Sequence, residues 1–162
     1  MKQILFLIGI VLSVSCSKAT HTGTIPSHNS SSTSVIDLSP TLQSQILGGE
    51  QHFAVYLPPS YATEPNKRYP VLYLLHGMNQ NYKSWINEGA LQAVADEVIA
   101  EGAKEMIIIC PDGFNSFYYN RPQMRYEDFF IQEFIPEIER RYRILSEKSH
   151  RNIAGLSMGG FG

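Results

Sequence analysis

Val71-Leu72-Tyr73-Leu74-Leu75 is an unbroken apolar run. A strand with one wet face alternates apolar and polar residues, so a continuous run calls for apolar cover on both faces. Met106-Ile107-Ile108-Ile109-Cys110 is a second such run, stopped by Pro111-Asp112-Gly113. Between the two, Leu91, Val94, Ala95, Val98 and Ile99 recur at helical spacing, with Gly102 placed to cap the C-terminus. Phe130, Phe134, Ile138 and Tyr142 mark a later helix, which Pro136 should kink or break. Glu137 with Arg141, and Glu139 with Arg143, are spaced as i,i+4 pairs on its solvated face. Asn152-Ile153-Ala154 then runs into Gly155. Strand, helix, strand, helix, strand predicts an α/β fold: a mostly parallel sheet with flanking helices and right-handed crossovers. Upstream, Phe53, Val55 and Leu57 alternate as a strand ended by Pro58-Pro59.

Gly155-Leu156-Ser157-Met158-Gly159 follows the third of these strands and fits G-x-S-x-G. The pattern has a steric reason. A serine on a tight strand-to-helix turn projects its hydroxyl from the sheet edge, and side chains two residues to either side would collide there. Ser157 is therefore the candidate nucleophile. Parallel strands present their C-terminal ends on one edge, so the segment His76-Gly77-Met78 after Leu75 shares that edge with Ser157. The N–H of Met158, directly after the serine, and the N–H of Met78 are the candidate oxyanion donors. His76 is expected to shape the loop rather than to serve as base. Asp112 is expected to be a turn residue, Glu127 and Asp128 to favour a helix start, and Cys110 to be a buried strand thiol. The aromatic stretch Phe117-Tyr118-Tyr119 follows a strand on the same edge, and Tyr118 and Tyr119, with Trp85, are candidate substrate-binding residues.

With these motifs in place, the chain resembles the putative-esterase family of α/β-hydrolases, which includes feruloyl and other carbohydrate esterases. The matching residues are Val55-Tyr56-Leu57-Pro58-Pro59-Ser60-Tyr61, Tyr69 to Gly77, Ser84-Trp85, Pro111-Asp112-Gly113, Tyr126-Glu127-Asp128-Phe129 and Gly155 to Gly160. Feruloyl-esterase-like members are the most similar. The resemblance implies an α/β-hydrolase fold and a serine carboxylic-ester hydrolase acting on an acylated carbohydrate or a feruloyl-type ester. It places the nucleophile at Ser157 and the oxyanion donors at Met78 and Met158. A glycan-binding protein without catalysis, and an acyltransferase of the same fold, are the alternative functions.

In such hydrolases the acid and then the histidine follow the serine in the chain. Five residues follow Ser157, none acidic and none histidine. His21, His28, His52, His76 and His150 all precede it. The expectation is a domain cut just after the nucleophile turn, inactive as these 162 residues alone.

The N-terminus reads as an export signal. Met1-Lys2-Gln3 precedes the apolar run Ile4 to Leu12, and Ser13 and Ser15 precede Cys16 as small residues. Residues 1–15 are expected to be a lipoprotein-type signal peptide, with Cys16 as the lipidated mature N-terminus anchored in the bacterial envelope. Without lipidation the product would be secreted. Residues 16–40 are expected to be a Ser/Thr-rich tether, and residues 41–162 the esterase domain. Thirteen Lys and Arg against fifteen Asp and Glu leave a net charge of −2, so no nucleic-acid partner is expected. The sequence carries no metal-ligand spacing, P-loop or dinucleotide fingerprint, and neither metal nor cofactor is expected.

Overall fold

The computed structural model describes residues 33–162. The proposed signal peptide, Cys16 and most of the Ser/Thr-rich segment lie outside them.

The strands are β1 (Val35–Asp37), β2 (Thr41–Ser44), β3 (Gly49–Leu57), β4 (Val71–Leu75), β5 (Ile107–Pro111), β6 (Asn120–Arg121), β7 (Met124–Arg125) and β8 (Arg151–Gly155). The main sheet runs β1-β3-β5-β4-β8, with β2 also paired to β3. β5, β4 and β8 are mutually parallel, as the apolar runs predict. β1, β2 and β3 add an antiparallel half. β1 falls inside the stretch expected to be tether. Val35 pairs with Leu57, and the buried Ser34 hydroxyl donates to Asp96, so residues 34–37 are built into the sheet. Three strand residues are too few to show a period in sequence.

Alternating residues of β3, β4 and β5 face opposite sides of the sheet. Phe53, Val55, Val71, Tyr73, Ile107 and Ile109 pack on one face, and Ala54, Tyr56, Ile108 and Cys110 on the other. The second face is covered by α1 (Ser84–Asn87) and α2 (Leu91–Ala100). Gly102, at φ 103°, ends α2 where a side chain would be strained. Burial pushes the Cys110 thiol up to about 12, as suits an inert strand residue.

The first face is covered by one aromatic-rich segment: α3 (Tyr126–Phe129), a π-helical turn (Phe130–Phe134) and α4 (Ile135–Arg141). Pro136 sits in the first turn of α4. It has no N–H to donate backwards, and the widened turn lies immediately before it. Phe134 meets Phe53 edge-on at 5.3 Å, and Phe130 meets Tyr73 likewise at 5.4 Å. Each such side chain, fully buried, contributes about 1.5–3 kcal/mol. Glu137 pairs with Arg141 as expected, but Glu139 does not pair with Arg143. The helix ends at Arg141 and Tyr142 is extended, so Arg143 turns to the Tyr61 and Pro65 carbonyls. Glu139 pairs instead with Arg151 at the start of β8.

The register of β4 and β8 sets Leu75 opposite Gly155. The two strands therefore end level, and the segments leaving them emerge side by side.

Candidate active site

Ser157 stands between β8 and α5 (Met158–Phe161) with φ 52° and ψ −110°. That backbone is costly for a residue with a Cβ. Both flanking glycines are required by contact. A Cβ on Gly155 would lie 2.3 Å from the Gly159 carbonyl carbon, and one on Gly159 would lie 2.6 Å from the Leu75 oxygen. The turn is tied down by the Leu156 N–H donating to the Leu75 carbonyl at 3.2 Å and the Phe161 N–H donating to the Ser157 carbonyl at 3.1 Å. Met158 is buried. Its N–H and that of the half-exposed Met78 donate to no acceptor among the described residues.

The loop after β4 is held by polar contacts. The Gly113 N–H donates to His76 Nε2 at 2.8 Å, which puts the ring proton on Nδ1, 2.7 Å from the Gly77 carbonyl. The ring is buried and both nitrogens are engaged. Asp112 Oδ1 lies 3.7 Å from Nε2 but accepts the Phe114 N–H at 2.9 Å, a turn-forming bond. Gln80 Oε1 accepts the Gly77 N–H at 2.8 Å. Asn79 and Asn115 then clasp the loops after β4 and β5. Asn115 accepts the Asn79 N–H at 2.8 Å and donates to its side-chain oxygen at 3.0 Å. No periodicity announces these last three residues.

The aromatic candidates take different positions. Tyr118 is buried and its hydroxyl donates to the His76 carbonyl at 3.0 Å, so its polar end anchors the loop. Burial pushes that hydroxyl well above the usual phenol range. Trp85 is half-buried and donates from Nε1 to the Leu75 carbonyl at 3.1 Å. Tyr119 is exposed. A groove of about 430 Å³ beside β8 is lined by Tyr118, Tyr119, Phe130, Ile153 and Phe161. A pocket of about 160 Å³ between Trp85 and Leu156 lies on the other flank of the turn.

The remaining described histidines are not placed to serve Ser157. His150 precedes β8 and so lies at the end opposite the serine, facing Glu147. His52 is on β3, three strands from β8, stacked on Tyr82 at 5.6 Å. Among the described residues no cluster of three metal-ligating side chains forms, and no helix is long and apolar enough to cross a membrane.

A sheet with parallel strands β5-β4-β8, helices on both faces and a strained G-x-S-x-G turn at the strand ends defines the α/β-hydrolase fold. Within it the assignment is specific: residues 44–162 match the family described as "Putative esterase", and the chain belongs to it. It is similar to an "Endo-1,4-beta-xylanase/feruloyl esterase" of Xylanibacter ruminicola, with 36% identity over 129 residues covering 74% of this chain and 18% of that one. A solved ferulic acid esterase aligns at 40% identity and a TM-score of 0.75, over 80% of this chain and 52% of that one. A ferulic acid esterase from Anaeromyces mucronatus, solved in complex with ferulic acid, aligns at 29% identity and a TM-score of 0.64. That match covers 78% of this chain and 49% of that one. The chain thus spans about half the length of these solved relatives and 11% to 26% of the curated relatives.

Proposed function

We propose that the protein is a serine carboxylic-ester hydrolase acting on feruloyl-type esters of carbohydrate. The observation that carries this reading is the backbone of Ser157, held at φ 52° and ψ −110° between two glycines that admit no side chain. In this mechanism the Ser157 Oγ attacks the ester carbonyl and passes its proton to a histidine. The developing oxyanion is received by the N–H groups of Met158 and Met78. The alcohol departs with the proton, and water hydrolyses the acyl-enzyme. One such donor is worth roughly 3 kcal/mol in the transition state. His52, His76 and His150 are not placed to take the Ser157 proton, so the base in this mechanism is none of the described histidines. The names of the relatives support the feruloyl assignment, and the exposed Tyr119 beside the groove offers a ring face for a phenolic or sugar group.

The same reading places the enzyme outside the cytoplasm. The apolar run before Cys16 supports export, and Cys16 itself supports a lipid anchor at the bacterial envelope.

The test is hydrolysis of methyl ferulate by the intact protein, with fluorophosphonate labelling of the nucleophile. Turnover and labelling lost together in Ser157→Ala are expected. Hydrolysis that persists in that variant would overturn the assignment.

A further inference from the structure

Arg121 closes the aromatic loop that begins after β5. Its guanidinium carbon lies 5.2 Å from the Phe117 ring centroid and 4.9 Å from that of Tyr119, so two aromatic rings hold one cation. The Arg121 side chain makes no ion pair and no hydrogen bond with any described residue, and its Nε is buried without an acceptor. Other arginines have polar partners for their guanidinium groups, although the Arg143 Nε is likewise buried without an acceptor. Arg125 pairs with Asp128 at 2.6 Å, Arg151 with Glu139, and Arg143 with two carbonyls.

The location is the site edge. Phe117 packs edge-on against Phe161 at 5.7 Å. Phe161 follows Ser157 by four residues, about 6 Å along a helix. The loop presenting these rings holds Phe117 and Tyr118 at φ 58° and 60°, conformations that only surrounding contacts sustain. One cation is thus oriented by ring faces, partly desolvated and without a counter-ion among the described residues beside the nucleophile's helix.

We propose that Arg121 recognises a carboxylate carried by the ester substrate, which makes it a specificity-determining residue of the site. The inference rests on the esterase reading above. A guanidinium presents a planar fork that matches a carboxylate with two parallel hydrogen bonds. The flanking rings fix that fork in advance, so little side-chain freedom is lost on binding. A neutral ester leaves the cation unmatched. The carboxylate has two possible sources, a uronic-acid sugar on the alcohol side or a dicarboxylic half-ester on the acyl side.

The experiment uses the intact protein and two matched pairs: feruloyl esters of glucuronic acid and of glucose, and the 4-nitrophenyl esters of succinate and butyrate. The readout is the ratio of kcat/KM for the charged member to that for the neutral one. At least one pair is expected to give a ratio above ten, which identifies the source. The ratio should fall at least tenfold in Arg121→Gln and fall less in Arg121→Lys, with unchanged thermal melting. Raising the wild type to 0.5 M NaCl should lower it too, a readout that needs no variant. Ratios near one for both pairs, or a ratio that survives Arg121→Gln, would overturn the proposal. Hydrolysis of the neutral esters, lost in Ser157→Ala, reports separately on the esterase reading.

Discussion

Gly113 donates its N–H to His76 Nε2 at 2.8 Å, so the loop leaving β5 hangs on a ring that leaves β4. The neighbouring Tyr118 hydroxyl, bonded to the His76 carbonyl, adds a second tie. Together they fix the segment that carries Met78. His76→Ala is expected to destabilise the fold by about 1–3 kcal/mol, because it leaves the Gly113 donor buried and unpaired. The acid limb of the pH–rate profile, where a general base becomes protonated, should survive in whatever turnover remains. Thermal melting together with that profile distinguishes a loop-holding role from a catalytic base.

The three parallel strands β4, β5 and β8 and the serine turn were legible in the sequence for a common reason, whereas the placing of β4 between the other two was not. Both are dictated by local rules: apolar runs that need two-sided cover, and glycines forced by a steric clash. Ties made across loops carry no such signal. Gln80 and the Asn79–Asn115 clasp look like ordinary polar loop residues until the ends of β4 and β5 meet. β1 was hidden because three residues in a polar stretch acquire strand character from pairing with β3. Arg143 was misassigned since helical spacing continues in the sequence after the helix itself has ended at Arg141.

The Ser157 backbone itself makes a stability prediction. At φ 52° and ψ −110° the Cβ is strained, and glycine relieves that strain at some cost in unfolded-chain entropy. Ser157→Gly should exceed Ser157→Ala in stability by roughly 1 kcal/mol, with turnover absent from both. Chemical denaturation of the two variants decides it; equal midpoints would show an unstrained turn.

The glycines of this turn should differ in tolerance. Gly159→Ala drives a Cβ to 2.6 Å from a backbone oxygen that also accepts bonds from Leu156 and Trp85, so it has nowhere to move. A loss of about 2–3 kcal/mol is expected. Gly160→Ala meets its nearest atom at 3.1 Å and should cost far less. Urea midpoints rank the two, and the opposite order would contradict the geometry.

Acid should loosen the helix that covers the first face of the sheet. A hydrogen bond from Arg140, reinforced by Arg141 and opposed by partial burial, lowers the Glu137 carboxyl from its usual 4.5 to about 2. Arg141 also donates to the Thr41 carbonyl at 2.6 Å, so this cluster links α4 to β2. A depressed folded pKa means the unfolded chain binds the proton first. The stabilisation is therefore complete above about pH 5 and is lost as pH falls from 4.5 towards 2. Arg140 is largely exposed, so solvent screening limits the contribution to about 1 kcal/mol. Glu137→Gln is expected to flatten the fall in stability across that window, and 0.5 M NaCl should flatten it in the wild type. A slope unchanged in Glu137→Gln would move the acid sensitivity to another carboxylate. The first candidate is then Glu105, whose burial is outweighed by hydrogen bonds from Lys67 and Ser60.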